Sequence, residues 1–128
     1  MRTRLPGDLR APASARRFVL ARLGGVLAPS QSALCDDVAL IVSELVTNAV
    51  RASARVVDVE LRVDENRVEV RVTDDATGWP TPRSATADSI DGRGLEIVDQ
   101  LADSWRTVPR RTGKSVIATC IRRGRPRS

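Results

Sequence analysis

Apolar residues recur at two different periods along this chain, and the change of period separates helices from strands. Between residues 12 and 28, Ala15, Phe18 or Val19, Arg22 or Leu23, Val26 and Leu27 fall at spacings near 3.6. That spacing predicts a helix weakened at Gly24-Gly25 and closed by Pro29. A stronger stripe follows, with Leu34, Val38, Ile41, Leu45 and Ala49 on one face, a cap at Ser30 or Ser32, and an end near Ala52. The period then drops to two. Val57, Val59, Leu61 and Val63 alternate with Asp58, Glu60 and Arg62, and after Asp64-Glu65-Asn66 the pattern resumes with Val68, Val70 and Val72 between Glu69, Arg71 and Thr73. This predicts a hairpin with one wet face. Residues 76–93 follow neither period. Helical spacing returns from Gly94 with Leu95, Val98 and Leu101 or Ala102, and strand-like runs follow near 104–108 and 115–121, joined through Arg110-Arg111-Thr112-Gly113. The outline is an α+β two-layer sandwich, helices on one face of a mixed, mostly antiparallel sheet.

Length narrows this to one domain, since 128 residues suffice for a single core and no repeat or internal linker divides them. No apolar run approaches the roughly 18 residues of a membrane span. MRTRLPGDLR leads into neither an apolar block nor a cleavage site, so the expected compartment is the cytoplasm. Of 21 basic residues against 16 acidic, all but Lys114 are arginine, and the formal charge is +5. The one basic cluster, Arg122, Arg123, Arg125 and Arg127, reads as a solvated tail on a core of about residues 11–121. With Phe18, Trp79 and Trp105 as the only aromatics there is no stacking platform, and nucleic-acid binding is not expected.

Cys35 and Cys120 lack CxxC spacing and the chain contains no histidine, which removes most zinc arrangements and favours reduced core thiols. Without histidine or tyrosine, and with a single lysine, a general base must be a carboxylate. Three places offer candidate chemistry. Asp74 continues the inward phase of Val68, Val70 and Val72, and an ionised carboxylate buried alone costs several kcal/mol. It therefore either ends the strand and turns to water or has a dedicated donor. Glu44 and Asn48 lie one turn apart on the flank of the second helix, where a carboxylate beside a carboxamide oxygen suits a hard divalent cation and a water or hydroxyl nucleophile. Gly92-Arg93-Gly94-Leu95 opens a helix, where glycine lets a phosphate approach unpaired amides. The aperiodic 76–93 segment ahead of it is long for so small a domain and suits a functional lid.

Each feature alone is weak, but their order is specific. SELVTNA, a hairpin ending in VTDDATGWP, a variable loop, GRGLEIVDQLADSW and TGKSV together resemble the GHKL family of ATP-binding proteins, and within it the short bacterial anti-sigma-factor serine/threonine kinases. The resemblance spans residues 11–121 and implies a Bergerat-type fold, ATP and Mg2+ as ligands, and residues 76–93 as an ATP lid. By the same resemblance Asn48 is the magnesium ligand, Glu44 activates the attacking group, and Asp74 accepts from the adenine amino group. Gly78 matches the last glycine of the DxGxG box, Gly92, Gly94 and Leu95 the phosphate-side GxGL box, and Ser115 a hydroxyl position near adenine. Ala76 departs from the middle glycine of DxGxG, and Ala52 or Ser53 stands where many relatives have histidine. Nucleotide binding tolerates both departures better than kinase activity does.

The resemblance implies a serine/threonine-protein kinase acting on a regulatory partner protein, a sigma factor or an anti-sigma antagonist. The alternative is an ATP-responsive interaction module with little or no catalysis. Relatives often pair through the first helix and the neighbouring sheet edge, which leaves a homodimer open.

Overall fold

A computed structural model describes residues 1–76 and 89–122, the backbone alone over 89–94. Along the chain run β1 (Arg2–Pro6), α1 (Ala11–Gly24), a 3-10 turn (Pro29–Gln31), α2 (Ser32–Arg51), β2 (Val56–Val63), β3 (Arg67–Asp74), α3 (Ser89–Leu101), β4 (Ser104–Pro109) and β5 (Lys114–Ile121). The helices cover one face of a five-stranded sheet of order β1-β2-β3-β5-β4. All four pairings are antiparallel, so the sheet of the described residues is not mixed as expected. No helix among those residues is long and apolar enough to cross a membrane.

The period-2 pattern folds as it reads. Val57, Val59 and Leu61 of β2 and Val68, Val70 and Val72 of β3 are buried beneath the helices, with Val116, Ala118 and Cys120 of β5 beside them. Each such aliphatic side chain contributes roughly 1.5–3 kcal/mol by leaving water. On α1 the buried stripe is narrow, Ala11, Ala15, Val19 and Leu23 at steps of four. That of α2 is wide, taking in Val38, Ile41, Val42, Leu45, Val46 and Ala49, because α2 packs against α1, α3 and the sheet.

Element ends show where local chemistry departs from the expected pattern. α1 stops at Gly24, and Leu27 stays buried through a hydrogen bond from its N–H to the Leu23 carbonyl, 2.8 Å. Neither Ser30 nor Ser32 caps α2; its N-cap is Gln31, with no side-chain cap bond. At its other end Ser53 takes φ +67°, and the N–H groups of Ser53 and Ala54 donate to the Val50 and Ala49 carbonyls at 3.0 Å each. This is a Schellman closure with serine where glycine is usual.

Arg122 does not belong to a solvated tail. Its Nη2 donates to Gln31 Oε1 and its Nη1 to the Asp64 carbonyl, both at 2.8 Å, fastening the end of β5 to the β2–β3 turn and the start of α2. Residues 123–128 lie outside the described set. β1 was not anticipated. Its Arg2-Thr3-Arg4 pattern carries no apolar alternation, yet it pairs along β2 from Arg2↔Glu60 to Pro6↔Val56, and Arg4 Nε meets Asp58 Oδ1 at 2.9 Å.

Candidate functional site

Asp74 ends β3 on the helical face and is 4 % exposed. Of the two options left open by its phase, the structure takes the second: Asp74 ends the strand without turning to water and has dedicated donors. Oδ1 accepts the Ala76 N–H at 3.0 Å in a turn, and Oδ2 meets the Lys114 ammonium at 2.8 Å. The sheet enforces this meeting, because Asp74 and Lys114 are cross-strand partners in the β3–β5 ladder and opposed residues share a face. Gly113, just before, sits at φ +85°, and a Cβ there would lie 1.9 Å from the Asp74 carbonyl oxygen. Only glycine fits that approach.

Ser115, expected near adenine, points the other way. Its hydroxyl is 2.7 Å from Thr73 Oγ1 on the opposite sheet face, fully buried. The residue on the face of Asp74 is Lys114, which the sequence reading missed. Extending inward phase back from Val116, Ala118 and Cys120 would have found it, but β5 is apolar on both faces and its phase was ambiguous.

Asp75, also unanticipated, binds this corner to α2. Its Oδ1 accepts the N–H groups of Arg55 at 2.7 Å and Val56 at 3.2 Å. The Val56 N–H bond foremost, with the Arg55 bond, holds the Asp75 carboxyl below its ordinary range against the opposing effect of desolvation. Ala54 in turn donates to Ala49 in the last turn of α2, the turn that bears Asn48. The C-terminal turn of α2 is thereby tied to the end of β3.

Glu44 and Asn48 lie half-buried one turn apart on α2, beside the buried Leu45 and Ala49. As a whole, α2 packs against β3, β5 and α3. Among the described residues no group of three or more His, Cys, Asp or Glu could hold a metal ion. The donor set at α2 is one hard carboxamide oxygen and one carboxylate. That suits Mg2+, which keeps several waters and takes few protein ligands when phosphates supply the rest.

The glycines sit differently from expectation. α3 begins at Ser89, so Gly92 and Gly94 are inside the helix and not ahead of its first turn. The N–H groups without an intrahelical acceptor are those of residues 89–92, whereas Gly94 belongs to the second turn. Leu95 is half-buried and Val98 fully buried on α3. The segment expected to be aperiodic through residue 93 is helical from 89; its remainder, residues 77–88 with Gly78, lies outside the described residues. Ala76, at its entry, is packed into the core at 6 % exposure.

The sheet's far face carries an open concavity of about 400 Å³ lined in part by Arg4, Asp58, Thr73, Arg110 and Arg111, and Asp74 and Asp75 at the end of β3 also contribute to its wall. It lies across the sheet from α2 and shares no wall with Glu44 or Asn48. Both cysteines are free thiols; burial pushes the Cys120 thiol up to about 11, which keeps it protonated and unreactive.

Residues 5–120 match the model of the histidine kinase-like ATPase domain, and the chain belongs to this family of ATP-binding domains. Among the described residues, three helices on a five-stranded antiparallel sheet are consistent with the Bergerat fold. A search of curated proteins finds no match.

Proposed function

We propose that this ATP-binding domain is a serine/threonine-protein kinase of the anti-sigma-factor type, which binds a regulatory partner, a sigma factor or an anti-sigma antagonist, and phosphorylates it. The observation that carries this reading is Asp74: a carboxylate buried on the helical face and tied through Asp75 to the α2 turn bearing Asn48. Each Asp74 oxygen engages one donor, so acceptor capacity remains for an amino group of the base.

Asn48 would hold magnesium through its carboxamide oxygen, and the N-terminal amides of α3, Gly92 among them, would receive phosphate oxygens. Magnesium, when bound, offsets charge on the triphosphate oxygens. Glu44 accepts the proton of the partner's serine or threonine hydroxyl as that oxygen attacks the terminal phosphorus and the bond to the bridging oxygen breaks, leaving ADP.

The test uses terminally labelled ATP with a partner captured on the immobilised domain. Label should move covalently to the partner with the wild type and fall by at least about 100-fold with Glu44→Ala, while that variant keeps nucleotide affinity within about threefold. Transfer undiminished in Glu44→Ala removes the assigned base. Nucleotide-dependent partner binding without any transfer favours the interaction module instead.

A further inference from the structure

We propose that Lys114 is a second base-recognition residue, donating to the ring nitrogen adjacent to the amino group that Asp74 accepts. This rests on the nucleotide-site reading above and deepens it. The Lys114 ammonium is almost wholly buried, with the side chain 11 % exposed against 3 % for Asp74. It carries three N–H donors, of which one meets Asp74 Oδ2. Among the described residues Asp74 is its only hydrogen-bond partner. An ammonium held out of water with donors to spare is costly unless an acceptor arrives.

Paired cross-strand and pinned by the Gly113 approach, the two side chains present an acceptor and a donor side by side, 2.8 Å apart. The edge of a 6-aminopurine is the complement, an amino donor next to the N1 acceptor. Guanine in the same pose sets its carbonyl oxygen against the carboxylate and its N1–H against the ammonium, so both contacts oppose binding.

Calorimetric binding of ATP, 1-deaza-ATP and GTP to the full chain and to Lys114→Met tests this without reference to catalysis. The wild type should bind 1-deaza-ATP, which keeps the amino group but lacks N1, about 10- to 100-fold more weakly than ATP, with GTP weaker still. Lys114→Met should bind ATP more weakly than the wild type and lose the distinction between ATP and 1-deaza-ATP. Equal affinity of the wild type for ATP and 1-deaza-ATP overturns the role of Lys114 even if the variant does not fold. Retained discrimination in Lys114→Met, or tighter ATP binding by it, overturns it as well. No ATP binding by the wild type removes the nucleotide-site reading itself and this inference with it.

Discussion

The corner formed by Asp74, Gly113 and Lys114 and the flank of α2 bearing Glu44 and Asn48 are built on opposite terms. At the corner a β ladder decides everything: register opposes the two charges, a positive φ brings the chain in, and both charged groups are buried. On the flank a helix merely spaces two half-buried side chains a turn apart, beside a stripe whose packing does not involve them. Folding stability is thus concentrated at the first place, and the second is free to be specified by chemistry. Substitutions at the corner should register in denaturation; those on the flank should register in turnover.

Breaking the ion pair should have the largest effect. In nucleotide-free protein Lys114→Met leaves a buried carboxylate unpaired and should cost about 3–5 kcal/mol in urea denaturation, most of it recovered by adding Asp74→Asn. A loss under about 1 kcal/mol would mean that water reaches the corner and that the contrast is overdrawn. Next comes Gly113→Ala, with strained φ and backbone overlap together, at about 2–4 kcal/mol and a lowered melting temperature.

Asp75 sharpens the comparison through pH. Its folded value is depressed, so the unfolded state binds more protons in the acid range. The stability it contributes is complete above the ordinary carboxylate range and is lost as pH falls through the depressed folded value. The stability gap between wild type and Asp75→Asn, followed by urea midpoints from about pH 6 to pH 2, should therefore close toward acid; a pH-independent gap contradicts the assignment. Smallest of all is Glu44→Ala, which should leave stability within about 0.5 kcal/mol while the proposed phosphate transfer is lost.

Much of this architecture is legible because apolar period and burial coincide. The β2–β3 hairpin and α2 appear within a residue or two of their observed ends, since Val57 to Leu61, Val68 to Val72 and Val38 to Ala49 all serve one core. β1 escapes notice because its residues are placed by pairing with β2 and by Arg4–Asp58, neither of which leaves an apolar trace. The start of α3 is masked by Gly92 and Gly94, residues that mark breaks more often than helix interiors. At the corner the inward phase of Asp74 was visible, whereas its partner was not. Lys114 becomes apparent only when the β3–β5 register is known, and register is a long-range property that no local window contains.

The sheet order has a consequence for how the molecule comes into being. β5, last in sequence among the described strands, is inserted between β3 and β4. On the ribosome, at about 5–20 residues per second, β3 must wait with one side unzipped until some forty further residues have emerged, counting from Asp74 to Lys114. During that interval its bare rim is a template for any passing extended peptide. Vectorial synthesis therefore leaves the β2–β3 hairpin of the nascent chain dependent on β5, and a stall or truncation before residue 114 yields not a smaller version of this domain but a sticky fragment of one.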